Sequence, residues 1–251
     1  MIASEHITEK RMSPEAVLKT SSIFTSDKGD CTSHYCQPII GDKSCQLSEE
    51  LDLPASVEIQ AESSQTGFVI FCSKKQKQCD YMLIIPPFPI TKTLEASYIE
   101  ISPLVEILES QFIIGIVLVR MGSFAFGVSK GRNLVTSKVG KGLIHRRHRK
   151  GGSSANRFAR HREKQIETFF TRACGYLRQY LEPHVKDIDY MVYGGARTTI
   201  LQFKKQCAFT VMLDQPELPY LLDINEPRQA VLEEAIARIW SSRVFIWSNE
   251  S

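Results

Sequence analysis

The 251-residue sequence has no apolar run long enough to cross a membrane. Its longest, around Phe112 to Val119, is strand-length and contains Gly115, whereas a spanning helix needs about 20 apolar residues. A secretory leader is also missing, because Glu5, Glu9, Lys10 and Arg11 interrupt any apolar core near the N-terminus. Seven cysteines are an odd number in a chain this long and do not suggest a disulfide framework. These absences predict a cytoplasmic protein with free thiols and no membrane partner. Cys31, His34, Cys36 and Cys45 are metal-ligating types in one region, but their spacing is not a pair of C-x-x-C knuckles, and free thiols fit them better. Cys72 and Cys79 flank a polar turn and can face each other across a hairpin.

Several chemistries lack their residues. A phosphate-binding P-loop ending at Gly140-Lys141 would need Gly at 135 and Ser or Thr at 142, where Val135 and Gly142 stand. A two-metal nuclease needs clustered carboxylates, and Ile113 to Val119 carries none; Asp187 and Asp189 read as a solvated loop. Cys174 and Cys207 lie on apolar stretches and read as core rather than as nucleophiles beside His145, His148 or His161. No cofactor motif is present.

Negative charge is nearly absent from one stretch, Lys138 to Lys164, which holds ten Lys or Arg, three of the six His and only Glu163 as an acid. Its formal charge is +9, while the other 21 basic and 27 acidic residues leave the rest of the chain at −6. Clustered cations of this density neutralise phosphates and release counterions. Gly151 and Gly152 at its centre allow close backbone approach. Ser153, Ser154 and Asn156 add small hydrogen-bonding groups and N-cap types ahead of a helix, whose first turn presents unpaired N–H groups. The pattern points to a polyanion, with nucleic acid favoured over a merely solvated loop.

The segment GGSSANRFARHR resembles the one that follows the Gly-Gly-Gln loop in the central domain of eukaryotic and archaeal class-one peptide release factors, which reads GGQSALRFAR. Gly151, Gly152, Ser154, Ala155 and Arg157-Phe158-Ala159-Arg160 match. The surroundings, from about Ile113 to the C-terminus, are closer to the bacterial Vms-like release factors, peptidyl-tRNA hydrolases of ribosome-associated quality control. The resemblance implies an RNase H-like central domain and partners in the large ribosomal subunit, rRNA and peptidyl-tRNA. It implies catalysis at Gly151, Gly152, Ser153, Ser154 and Ala155, and RNA contacts from Arg146, Arg147, Arg149, Lys150, Arg157 and Arg160. One departure stands out. The family glutamine follows the glycines directly in class-one factors, where this chain has Ser153. In the Vms-like branch it lies one or two positions on, at Ser154 and Ala155. The next glutamine here is Gln165. The implied activity is a peptidyl-tRNA hydrolase impaired by that loss; the alternative is a non-hydrolytic rescue factor that docks on ribosomes or tRNA.

Along the chain, residues 1–50 read as a poorly ordered extension with a possible short helix after Ser13-Pro14. Residues 51–110 read as a small α/β unit with strands at Gly67–Cys72 and Tyr81–Ile85 and a helix capped by Ser102. Residues 111–251 read as the central domain: strands at Ile113–Arg120, Phe124–Ser129 and Leu134–Val139 form a meander that feeds the basic loop. A helix follows from about Arg157 to Leu181 with Phe158, Ile166, Phe169, Phe170, Ala173, Leu177 and Leu181 inward. A strand at Ile188–Tyr193 ends in Gly194-Gly195, read as an ordinary turn in preference to an anion site. A helix at Thr198–Gln206, an extended segment at Leu218–Ile224 and a closing helix capped by Asn225 complete a mixed-sheet α+β fold.

Overall fold

The computed structural model describes residues 7–25, 30–38, 53–75, 78–145 and 155–250. The chain divides into two units, one comprising residues up to Ser110 together with those from Ile239, the other Gln111–Arg238.

The second unit is built on a four-stranded mixed sheet. Strands β6 (Ile113–Arg120), β7 (Ser123–Lys130) and β8 (Asn133–Lys141) form an antiparallel meander. Two-residue turns join them, and glycines at positive φ, Gly122 and Gly131, let those turns follow the twist of the strands. The β-branched run of β6 suits a strand buried on both faces. Strand β9 (Tyr190–Gly194) then joins β6 in parallel, giving the order β8-β7-β6-β9. Isolated parallel bridges from Met191 to Glu217 and Gly194 to Leu222 extend this edge with an irregular segment.

Helix α4 (Ala155–Leu181) makes the crossover from β8 to β9. Its Phe169, Phe170, Ala173, Leu177 and Leu181 pack against Val117, Val119, Phe124, Phe126 and Val128, beside Ile200 and Phe203 of α5 (Arg197–Gln206). Helix α6 (Gln229–Ile239) lies on the opposite face, where a Cβ on Gly127 would stand 3.0 Å from Leu232. The mixed α+β, RNase H-like outline expected from the sequence is the one observed. Phe158, expected inward, is 48% exposed. The reason is length: 27 residues of helix reach about 40 Å, whereas the eight-residue strands beneath reach about 27 Å. The first turns of α4 overhang the sheet.

The first unit is a six-stranded antiparallel sheet, ordered β1-β10-β4-β3-β2-β5, from β1 (Thr8–Met12), β2 (Asp30–Cys36), β3 (Phe68–Lys75), β4 (Gln78–Ile85), β5 (Leu94–Ala96) and β10 (Ser242–Glu250). Helices α1 (Pro14–Thr25) and α3 (Ser102–Leu108) cover one face through Val17, Phe24, Leu104 and Leu108; α2 (Ala55–Glu62) covers the other through Val57 and Ala61.

Four features differ from what the sequence suggests. Residues 8–25 and 30–36 are not a loose extension: Val17, Phe24 and Tyr35 are core positions, and Met12 and Leu18 pack against the same core. The final strand, Ser242–Glu250, belongs to this sheet and not to the second unit, pairing between β1 and β4. Ser102 is the first residue of α3 rather than its cap; the Glu100 carboxylate accepts the Ser102 N–H at 2.9 Å instead, and hydrogen bonding to the Ser102 hydroxyl and then to its N–H holds Glu100 below the usual carboxylate range. Asn225 likewise falls short of α6, which starts at Gln229.

The thiols also depart from expectation. Cys174 on α4 and Cys207 after α5 form a disulfide, with Cα atoms 5.4 Å apart, because both lie on the faces by which the two helices touch. Cys36 is disulfide-bonded as well. Cys72 and Cys79 remain thiols and lie diagonal to each other, since Cys72 pairs with Tyr81 and Cys79 with Lys74. Burial pushes the Cys72 thiol up to about 11. Of the four possible metal ligands, Cys45 lies outside the described residues. Cys31 faces α1, donating to the Phe24 carbonyl, whereas Cys36 packs on the α2 face. Strand alternation therefore separates two of the three that remain.

Candidate nucleic-acid interface

The basic segment springs from β8 and re-enters the fold at α4. Two glycines fix its root. A Cβ on Gly140 would stand 2.2 Å from Cζ of Phe124, and one on Gly142 would stand 2.5 Å from Cδ2 of Phe169. Both rings are buried, so no larger residue lets the chain pass this close to the core. Gly142 N–H donates to the Gly122 carbonyl at 2.8 Å, which ties the root to the β6–β7 turn.

From there residues 142–145 run back along α4, held by its side chains. Arg172 Nη2 donates to the Lys141 carbonyl. The His145 N–H donates to Gln165 Oε1 at 3.0 Å, and Arg162 Nε donates to the His145 carbonyl at 3.2 Å. Between limb and helix lies an open cleft of about 320 Å³, with Leu143, His161, Lys164, Thr168 and Arg172 in its walls and Phe169 at its floor.

The described cations divide into two groups. Lys138 Nζ sits 4.5 Å from the Tyr176 ring centroid, a cation–π contact. Lys141 Nζ pairs with Glu226 at 2.8 Å, and Arg228 pairs with the same carboxylate at 2.5 Å. Hydrogen bonds from Lys141 and then Arg228 hold the Glu226 carboxyl down at about 2. These cations, with Arg162 and Arg172, serve the scaffold. Arg157, Arg160 and Lys164 are exposed on the overhanging turns of α4, and no described residue forms an ion pair with them.

Of the residues singled out in the sequence, Arg146, Arg147, Arg149, Lys150, Gly151, Gly152, Ser153 and Ser154 lie outside the described residues. Ala155 is the first residue of α4, and Arg157 and Arg160 follow on its first two turns. Sequence reasoning missed Gln165, Arg162 and Arg172, which read as the polar face of an amphipathic helix; nothing in their spacing reveals that they bind main chain. The Gly194-Gly195 turn serves packing: Gly195 has φ +126°, and a Cβ there would stand 2.1 Å from the Val119 carbonyl oxygen.

A mixed sheet whose edge strand and crossover helix bracket a cationic Gly-Gly segment defines the second unit as an α+β domain built around a polycationic segment. The family model described as Actinobacteria/chloroflexi VLRF1 release factor, acVLRF1, matches residues 113–245, more than half of the chain. The protein belongs to that release-factor family. Among solved structures it is similar to the archaeal translation termination factor aRF1, at 16% identity over 91% of this chain and 73% of that one, TM-score 0.42. It is also similar to Saccharomyces cerevisiae Dom34, a translation termination-like factor, at 8% identity over 91% and 62%, TM-score 0.32. Pelota from Archaeoglobus fulgidus matches at 11% identity over 96% and 67%, TM-score 0.31. Among the described residues no helix is long and apolar enough to cross a membrane.

Proposed function

We propose that the protein acts on the ribosome as a release or rescue factor, and that its loop enters the peptidyl-transferase centre of the large subunit to promote hydrolysis of the ester between nascent chain and tRNA. One observation carries this: the family match spans the domain in which β8 and α4 anchor a +9 segment with Gly151-Gly152 at its middle. Arg146, Arg147, Arg149, Lys150, Arg157 and Arg160 contact rRNA and tRNA phosphates, which strengthens association at low salt. Backbone N–H groups of residues 151–155 supply donors to the oxyanion that forms when water attacks the ester carbonyl; main-chain donors need no particular side chain. The proton leaves the attacking water, the ester C–O bond breaks, and the tRNA ribose hydroxyl departs with a proton.

A second reading is favoured by one feature of the sequence, the Ser153-Ser154-Ala155 run where relatives carry the water-positioning glutamine. Loss of such a group costs on the order of a hundredfold or more in rate. The chain then docks on ribosomes or tRNA without hydrolysis. Large subunits carrying peptidyl-tRNA, incubated with the protein and with Ala155→Gln, Ser154→Gln and Ser153→Gln variants, separate the two. Peptide release by the wild type or by any glutamine variant supports the hydrolase scaffold. Binding without release in all four leaves the docking factor, and equal affinity for any structured RNA overturns both.

A further inference from the structure

We propose that Gln165, with Arg162 and His161, forms a protonation-sensitive clamp on the root of the basic loop, so that Gln165 is a positioning residue for whatever the loop does. The inference rests on the loop reading above but has a readout of its own.

Both polar main-chain groups of a single residue, His145, are held by side chains three residues apart on one helix: its N–H by Gln165 Oε1 at 3.0 Å, its carbonyl by Arg162 Nε at 3.2 Å. Arg172 holds the Lys141 carbonyl seven residues further along α4. Two helical turns advance about 10 Å and four extended residues about 13 Å, so the limb lies antiparallel along the helix and is gripped at both ends. The grip ends at His145, directly before the arginine pair Arg146-Arg147. It therefore sets where the cationic part of the loop begins.

The chemistry of Gln165 makes the grip conditional. A backbone N–H can only donate, so the amide oxygen faces His145 and the amide nitrogen is turned elsewhere. That nitrogen lies 3.3 Å from His161 Nε2. An NH₂ group can only donate, so His161 Nε2 accepts, which requires the neutral ring protonated at Nδ1. Protonation at Nε2 sets two donors against each other. Turning the amide relieves that clash only by presenting NH₂ to the His145 N–H. One proton on His161 thus breaks the bridge on one side or the other. The His145 ring stacks beside His161 with centroids 6.2 Å apart. The other charged groups near His161 are Arg157, Arg160, Arg162, Glu163 and Lys164 on its own helix, with Arg172 further along that helix in the wall of the same cleft. The clamp is closed while the His161 ring is neutral and opens when the ring takes a second proton.

The test uses the full chain with Gln165→Ala and Gln165→Glu. A glutamate still accepts from His145 N–H but pairs with the protonated imidazole, so its clamp closes at low pH and loosens at high pH, the reverse of wild type. Hydrogen exchange at the His145 amide, corrected for the intrinsic pH dependence of exchange, should be about fivefold less protected in Gln165→Ala. Its protection should rise from pH 5.5 to 8 in wild type and fall in Gln165→Glu. In parallel, peptide release from loaded large subunits is measured, or subunit affinity if wild type does not release peptide. Gln165→Ala should lose about tenfold in release with binding changed less than threefold, or about threefold in affinity. Unchanged His145 protection, or the same pH trend in wild type and Gln165→Glu, overturns the clamp. Altered protection with wild-type release and affinity overturns the positioning role. A wild type that neither releases nor binds overturns the proposed function and with it the positioning role, while exchange still decides the clamp.

Discussion

Replacing Gly140 and Gly175 by alanine should shift stability in opposite directions, although the chemical change is identical. At Gly140 the new methyl would lie 2.2 Å from Phe124 Cζ and 2.6 Å from Cε1, against an ordinary carbon–carbon contact of about 3.5–4.0 Å. The ring has nowhere to go: it is fully buried, stacked on Phe126 at 4.6 Å and tilted against Phe169 at 6.1 Å. Overpacking of this kind costs about 1–3 kcal/mol. At Gly175, in the middle of α4, a Cβ meets nothing within 4 Å, so only helix propensity changes, a gain of about 1 kcal/mol. For a unit of roughly 130 residues, 1 kcal/mol moves Tm by about 4 °C. Gly140→Ala should therefore lower the transition of the second unit by about 4–11 °C and Gly175→Ala should raise it by about 4 °C. Calorimetry of the full chain measures both, and the transition that a Cys207→Ser substitution lowers is that of the unit carrying the Cys174–Cys207 bond. Shifts of the same sign, or a Gly140→Ala protein within 1 °C of wild type, would refute the packing argument.

Further outcomes follow from features already described. Reducing the Cys174–Cys207 disulfide, whose cysteines are 33 residues apart, should destabilise the second unit by about 3–4 kcal/mol on a chain-entropy estimate; an unchanged melt with and without reductant refutes this. Each of Arg157→Ala and Arg160→Ala should weaken binding to ribosomal RNA and reduce the slope of log affinity against log salt by about 1; the filter-binding slope decides it. The Glu226 carboxyl is held down at about 2 by Lys141 and Arg228. A depressed carboxylate contributes stability above its ordinary value near 4.5 and loses it as pH falls toward 2. Its NMR titration midpoint should therefore lie well below 4.5 and move back toward it in Lys141→Met. The buried Cys72 thiol, raised to about 11, should resist alkylation at pH 8 in the native state and react once unfolded.

Much of the second unit was legible because its signals are local. A β-branched run, two turns with glycine and a long apolar stripe mark β6, β7, β8 and α4 with little ambiguity. In the first unit the β3–β4 hairpin and helices α1 and α3 were legible too, but the outer strands carry almost no pattern: Thr8–Met12 exposes its middle residues, and Asp30–Cys36 carries polar types that become buried only on pairing with β3. The closing strand was missed because partner choice is a long-range property, and Ser242–Glu250 pairs with residues far back in the chain. At the candidate site, charge density and the paired glycines were visible in the residues alone. The division of the cations was not, since Lys138 and Lys141 look like Arg157 and Arg160 until Tyr176 and Glu226 are placed beside them.

The pairing of β1 with β10 has a consequence for how the chain is made. Glu9 and Arg243, joined by an ion pair at 2.9 Å, are separated by 234 residues. At about 5–20 residues per second a ribosome needs about 12–47 s to synthesise that interval. Through all of it β1 has no strand to pair with, and β4, once made, presents an open edge where β10 will sit. The residues that begin the sheet are thus the last to be secured. A nascent chain that stalls before β10 emerges would expose two unpaired edges while the second unit is already complete, the condition in which strands capture wrong partners.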